Sequence, residues 1–246
     1  MSELYDRIGQ CYMATRREDP RLAALIRDAL GPKVCTVLNV GAGAGAYEPR
    51  DLDVTAVEPT AAMRANRPPG AAPVVDARAE ALPFRNRAFD ASMTVFSDHH
   101  WEDRAQGLRE LRRVARDRVV LLTYDPALAD AYWIIRDYLP GFGRLPGMAV
   151  QEVAAHLGGA DVRRVPVWHD CVDGFLLAYW RQPEAFLDPQ VRAGISVFHR
   201  LPEDEIQHAI DRLRADLQSG AWAERNRDLL ELDRLDVGLV LVVAGA

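Results

Sequence analysis

The chain has 246 residues, 49% of them hydrophobic and 27% charged, an ordinary balance for a globular protein with a sizeable core. A net charge of −6 argues against bulk attraction to nucleic acid or to anionic membranes. The longest apolar run, Val237 to Ala246, is about half of the ~20 residues that a bilayer span needs, and Cys11, Cys35 and Cys171 form neither a disulfide framework nor a zinc pattern.

The start, Met-Ser-Glu-Leu-Tyr-Asp-Arg, lacks a signal-peptide layout, so a cytoplasmic, reducing location without membrane partners is expected. Residues 1–31 read as a helical arm, with Leu4, Ile8, Cys11 and Tyr12 on one stripe. A second stripe, Leu22, Leu25, Ile26, Ala29 and Leu30, stops at Gly31-Pro32. Strand-like runs near 34–40, 53–57, 73–76, 89–96 and 118–124 then alternate with helical patterns near 44–49, 60–66, 102–115 and 127–138. The basic run Arg109 to Arg118 is interleaved with Glu110 and Asp117 and reads as a solvated helix face. A helix near 149–157 leads into a sixth strand, 162–168. From Cys171 to about Leu235 the pattern is wholly helical, and Val237 to Val243 is a final strand. Alternation of this kind predicts an α/β fold with a doubly wound parallel sheet. The long helical stretch cannot lie within the sheet and should cap one edge. One domain over 1–246 is expected: arm 1–31, core 34–170, helical cap 171–235, final strand 236–246.

The most informative stretch is Val37-Leu-Asn-Val-Gly-Ala-Gly-Ala-Gly-Ala-Tyr47, a buried strand entering a loop with glycines at Gly41, Gly43 and Gly45. Such loops bind nucleotides through free backbone N–H groups and a following helix N-terminus. The next apolar run, Val54 to Val57, ends in Glu58, where a carboxylate accepts both ribose hydroxyls. The loop satisfies the dinucleotide pattern with Gly41, Gly43 and Ala46, and equally the S-adenosylmethionine (SAM) pattern with Gly41, Gly43 and Gly45.

Arg78-Ala-Glu-Ala-Leu-Pro-Phe84, followed by Phe89-Asp90, His99-His-Trp101 and Glu110-Leu-Arg-Arg-Val114, separates the two. With the glycine loop and Val57-Glu-Pro59, these motifs make the chain resemble the class I SAM-dependent methyltransferases, specifically the type 11 small-molecule group, over roughly 34–124. The resemblance implies a Rossmann-like, seven-stranded, mostly parallel sheet with the last strand antiparallel. It also implies SAM as cofactor, with S-adenosyl-L-homocysteine as product, and a small-molecule acceptor. At matching positions, Gly41, Gly43 and Gly45 would pass the methionine part of SAM and Glu58 would hold the ribose. Met63, Ala79 and Glu80 would meet adenine, and Tyr12 and Arg16 would close over the cofactor.

Two positions depart from the family. Arg78 stands where many members have an adenine-binding aspartate, and an arginine accepts no hydrogen bond. Asn39 replaces the usual aspartate at the end of the first strand, so the amide can orient the loop but supplies no charge.

Methyl transfer needs the acceptor aligned in a dry site, with a base only where the acceptor must lose a proton. The candidate bases are His100 and, second, His99, after the fourth strand. His169-Asp170 is a further candidate for the acceptor pocket, and the cap aromatics Phe175, Tyr179, Trp180, Phe186, Phe198 and Trp222 read chiefly as core. No compact ligand spacing supports a metal. A nucleic-acid substrate is disfavoured by the charge and by the absence of an Asn-Pro-Pro-Tyr-type motif. The expected activity is methyl transfer to an O, N or C atom of a small molecule, with secondary metabolism as one setting. The alternatives are a SAM-binding protein without transfer activity and an NAD-dependent oxidoreductase.

Overall fold

The computed structural model describes residues 15–144 and 147–245. Helix α1 spans Pro20–Leu30. Asp19 caps it by accepting from the Arg21 N–H at 3.0 Å, Pro20 supplies a preset φ, and Gly31 ends it at φ 87°. Its buried stripe is Leu22, Ile26, Ala29 and Leu30, as the helical spacing predicts.

The succession is then β1 (Thr36–Val40), β2 (Asp53–Val57), α2 (Ala61–Ala65), β3 (Val74–Val75), β4 (Phe89–Val95), α3 (Arg104–Val114) and β5 (Ala115–Tyr124). It continues with α4 (Val150–His156), β6 (Asp161–Arg164), β7 (Val167–Trp168), α5 (Pro189–Ala193), α6 (Glu203–Ser219), α7 (Ala221–Arg225), β8 (Arg234–Leu235) and β9 (Leu239–Gly245). Seven strands form one sheet in the order β3-β2-β1-β4-β5-β9-β6. β1 to β5 pair in parallel, and β9 runs antiparallel to both β5 and β6. β7 and β8 pair separately as a two-stranded ribbon.

Strand side chains alternate between two cores. Val37, Val120 and Leu241 point to the face covered by α1 and the 132–222 segments. Leu38, Leu121 and Val242 point to the face covered by α3 and α4. The period of two therefore buries the central strands β1, β4, β5 and β9 on both faces, as a doubly wound sheet requires, while the edge strand β6 is exposed.

Five expectations are corrected. No helix forms over 44–49: Gly45 and Tyr47 adopt φ 94° and 64°, outside the right-handed helical region, and Pro49 disfavours helical backbone at Glu48. The expected helix over 127–138 is a 3-10 helix, Pro126–Ala131, and a π-helical turn, Ile134–Tyr138, separated by an extended Tyr132. The sixth strand is interrupted at Pro166, which has no N–H for the ladder; Arg164 still pairs with β9, whereas Val167 and Trp168 pair with β8. The 171–235 stretch is not wholly helical. It mixes 3-10 turns and short helices with one long helix, α6, and ends in β8.

The arginines of 109–118 are not simply solvated either. Arg113 grips Glu110 and the carbonyls of Leu82 and Phe84, Arg116 pairs with Asp90 at 2.8 Å, and Arg118 donates to the Ala29 carbonyl. They tie α3 and β5 to their neighbours. Among the described residues no helix is long and apolar enough to cross a membrane.

Candidate active site

The glycine loop leaves β1 and turns over the end of β2. Gly41 and Ala42 donate backbone N–H bonds to the Val57 carbonyl at 2.9 and 3.0 Å. Gly41 has φ 69°, and a Cβ there would lie 1.8 Å from Ser97 Oγ, so only glycine fits between β1 and the end of β4. Gly43 donates its N–H to Glu58 Oε2 at 2.8 Å, and Thr60 donates to Glu58 Oε1 at 2.9 Å. Arg64 reaches back to the Glu58 carbonyl at 2.8 Å. The buried Glu58 thus orders both the glycine loop and the start of α2.

A cavity of about 580 Å³ opens over this strand end. Its walls include Gly41, Gly43, Gly45, Glu58, Met63, Ala79, Glu80, Arg16 and His100, so most of the sequence-selected positions converge on one concavity. That volume lies within the ~300–1,000 Å³ usual for small-molecule sites. Met63 and Ala79 are buried and present apolar surface, while the Glu80 carboxylate accepts from the N–H groups of Glu102 and Asp103 at 2.8 and 3.2 Å. Arg78 pairs with Glu102 at 2.7 Å. Tyr12 lies outside the described residues.

Asn39 does not line the cavity. Buried beneath the loop, its amide donates to Glu48 Oε1 at 3.3 Å. Glu48 is held by Arg67 Nη2 at 2.8 Å to both carboxylate oxygens, and Arg67 also donates to the Gly43 and Ala72 carbonyls. The departure at Asn39 has a local reason: a carboxylate there would face Glu48. In place of a helix, the buried Arg67–Glu48 pair braces the loop from below.

β4 ends in Phe96 at φ 54°, a left-handed backbone that a bulky residue adopts only under constraint. Its ring stacks on Phe175 with centroids 4.6 Å apart, and the Arg16 guanidinium lies 5.3 Å over it. Ser97 accepts from Trp101 Nε1 at 3.3 Å, and Trp101 packs against Gly107 of α3, where a Cβ would come within 2.3 Å of the indole.

The turn Asp98–His100 follows. Burial pushes the Asp98 carboxyl up, but the Arg104 guanidinium, bonded through Nε at 2.9 Å and through Nη2, and the adjacent His99 hold it well below the usual carboxylate range. His99 Nδ1 is 3.9 Å from Asp98, an electrostatic contact rather than a hydrogen bond. The two imidazoles lie 3.8 Å apart between centroids. Burial lowers the His99 pKa, and burial together with the charges of His99 and Arg200 drives that of His100 well below its ordinary value. Both rings are therefore neutral near pH 7, the form that accepts a proton.

A second, smaller cavity of about 90 Å³ lies beyond Phe96. Phe96, His100 and Arg16 belong to both walls, and His99 belongs to the second alone. Arg16 donates to Asp173 through Nε at 2.6 Å and Nη2 at 3.1 Å. The buried Asp173 also accepts from Tyr47 Oη at 2.8 Å, and Tyr47 in turn accepts from the Asp19 N–H at 3.2 Å. These bonds join the segment before α1, the loop after Gly45 and the 173 turn. His169 and Asp170 line neither cavity; Asp170 pairs with Arg21 at 2.7 Å on the surface. Of the aromatics from 175 onward, Phe175 faces the second cavity, whereas Trp180, Phe186 and Trp222 are core. Among the described residues no three His, Cys, Asp or Glu side chains form a metal-binding group.

Sequence reasoning missed Phe96, Glu48, Arg67, Asp173 and Arg200. None carries a motif; each acts through a contact between segments distant in the chain.

A glycine loop closing a parallel sheet, with an acid at the end of β2 and a cavity above, defines a nucleoside-binding Rossmann-like fold. A dinucleotide reading would set the pyrophosphate on a helix N-terminus after the loop, and the turns at 44–50 supply none. Residues 38–123 match the model of the type 11 "Methyltransferase domain". A putative methyltransferase from an antibiotic biosynthesis pathway of Anabaena variabilis ATCC 29413 is 29% identical, over 94% of this chain and 98% of that one, with a TM-score of 0.86. The geranyl diphosphate C-methyltransferase of Streptomyces coelicolor A3(2) shares the fold at 16% identity, covering 92% of this chain and 78% of its own, with a TM-score of 0.52. An uncharacterised protein of Methanocaldococcus jannaschii is 36% identical over 69 residues, and the match spans 28% of each chain. The chain carries the type 11 methyltransferase domain over residues 38–123 and shares its Rossmann-like fold with the Anabaena relative along almost its whole length. It is an enzyme, and its cofactor is SAM.

Proposed function

We propose that the protein transfers the SAM methyl group to a small, partly apolar molecule seated in the second cavity. The observation that carries this reading is that Phe96 and His100 border both cavities, so a donor in one and an acceptor in the other meet at these two side chains. The sulfonium methyl of SAM supplies the electrophile.

The protein's part is to hold and to exclude. Glu58 binds the ribose diol, the backbone of Gly41, Gly43 and Gly45 passes the methionine part, and Met63, Ala79 and Glu80 border adenine. Arg16, anchored by Asp173, closes the site from the N-terminal side. His100, neutral and half-buried, takes the acceptor proton where the acceptor has one to lose, and His99 flanks it. Residues 171–235 act as a cap that selects the acceptor, within one domain spanning 1–246. The antibiotic-pathway description of the Anabaena relative supports a setting in secondary metabolism, and a cytoplasmic location fits an enzyme that draws on SAM.

Calorimetric titration with SAM, S-adenosylhomocysteine and NAD tests the cofactor site, and release of S-adenosylhomocysteine across a panel of small hydroxyl, amine and activated-carbon compounds then tests transfer. Micromolar binding of the first two without NAD, followed by acceptor-dependent release, is expected. NAD binding without SAM binding would overturn the reading.

A further inference from the structure

The second cavity is walled mainly by hydrocarbon and aromatic side chains, among them Ile135, Phe142, Phe175, Leu177, Ile195 and Val197. The charged or titratable side chains that reach it are Arg16, His99, His100, Tyr124, Asp125 and Arg200. Most are already satisfied or neutral. Asp173 neutralises Arg16 with two bonds. Asp125 accepts from the Ala127 N–H at 3.1 Å where the 3-10 helix begins. The two imidazoles are held neutral by burial, and burial likewise keeps the Tyr124 hydroxyl protonated.

Arg200 differs. Its backbone N–H donates to the Val197 carbonyl at 3.1 Å, yet its guanidinium makes no hydrogen bond or ion pair with any described residue. The side chain is half-buried, and its charge acts on His99, His100 and Tyr124. A guanidinium has five donors in a planar fork and no acceptor. Taken partly out of water against an apolar wall, such a group is costly until an oxyanion meets it.

We propose that the methyl acceptor carries an anionic group, a carboxylate or a phosphate, and that Arg200 binds it. This rests on the second cavity being the acceptor site. The anion would sit against Arg200 with the apolar remainder on the aromatic and aliphatic wall, next to His100. Docking would also cancel the field that Arg200 exerts on His100, so the base strengthens when the acceptor arrives. At about 90 Å³ the cavity is smaller than the ~150 Å³ space that takes benzene, so it fits the anionic head and a few carbons of such a molecule.

The test uses protein saturated with S-adenosylhomocysteine, whose own affinity is measured first. Hexanoate, hexyl phosphate and the neutral isostere hexanamide are then titrated by ligand-observed NMR. At least one anion should bind about tenfold or more tighter than hexanamide, and the tighter of the two identifies the anion. In Arg200→Gln the preference should fall to about threefold or less with the S-adenosylhomocysteine affinity unchanged, and Arg200→Lys should keep part of it. Equal affinity for all three compounds, or no binding of any, in wild-type protein that holds S-adenosylhomocysteine would overturn the proposal even if Arg200→Gln proved unfolded. Failure of wild-type protein to hold S-adenosylhomocysteine would instead overturn the cofactor assignment on which the proposal rests.

Discussion

Gly43 donates its backbone N–H to Glu58 Oε2 at 2.8 Å, so the acid at the end of β2 shapes the loop that it faces across the cavity. One carboxylate therefore serves the loop and, in our reading, the ribose. Charge-assisted bonds contribute about 1.5–3 kcal/mol each. Glu58→Ala should lower SAM affinity at least about tenfold in calorimetry while circular dichroism shows a folded chain. Unchanged affinity would remove Glu58 from the ribose site.

Asn39 and Glu48 form the complementary pair beneath the loop. Asn39→Asp would set two carboxylates about 3.3 Å apart in a buried place, with Arg67 able to neutralise one. A like charge raises the folded pKa of one acid above its unfolded value. The penalty is then present above that folded pKa and fades as pH falls. At pH 7 denaturant titration should show a loss of about 2 kcal/mol, and Asn39→Asp with Glu48→Gln should recover most of it. An additive rather than compensating double variant would refute the pairing.

Asp173 is buried and receives Arg16, the Arg17 N–H and the Tyr47 hydroxyl. Removing one partner of a buried pair leaves an uncompensated charge, at a cost of about 3–5 kcal/mol. Asp173→Ala should destabilise the protein by about that amount and loosen SAM binding as well, because Arg16 and Tyr47 border the cofactor cavity. Denaturation and SAM titration of the same sample check both parts.

His99 and His100 have folded pKa values below that of a free histidine, with burial as the main cause. Between their folded values and about 6.5 the unfolded chain binds more protons, so stability rises with pH through that window. Melting temperature should therefore climb from pH 5 to 7 and flatten above. The slope should diminish in the variant carrying both His99→Gln and His100→Gln. A pH-independent melting temperature in the wild type would contradict the neutral pair.

For the chemistry, His100→Ala should lose about 10²–10⁴-fold in turnover with an accepted substrate while SAM affinity stays within about twofold. Turnover near the wild-type rate would mean that transfer needs no base here.

Much of this was legible in the chain itself, because the signals are local. The apolar run through Val40, the three glycines and Glu58 follow one another within two strands, and the structure brings Gly41, Gly43, Gly45, Glu58, Met63, Ala79 and Glu80 to one cavity. Where the reading failed, backbone conformation overrode pattern: positive φ at Gly45 and Tyr47 forbids the expected 44–49 helix, and Pro166 interrupts the sixth strand.

What the sequence by itself determined is the alternation of strands and helices, the glycine loop and the acid that follows it, since each depends on residues close in the chain. Only the tertiary structure decided what Asn39 does, because its partner Glu48 is itself fixed by Arg67 from beyond α2. The same holds for the acceptor side. Phe96, Phe175, His100 and Arg200 come from segments far apart in the chain, and their meeting depends on packing over the sheet edge, which no periodicity encodes.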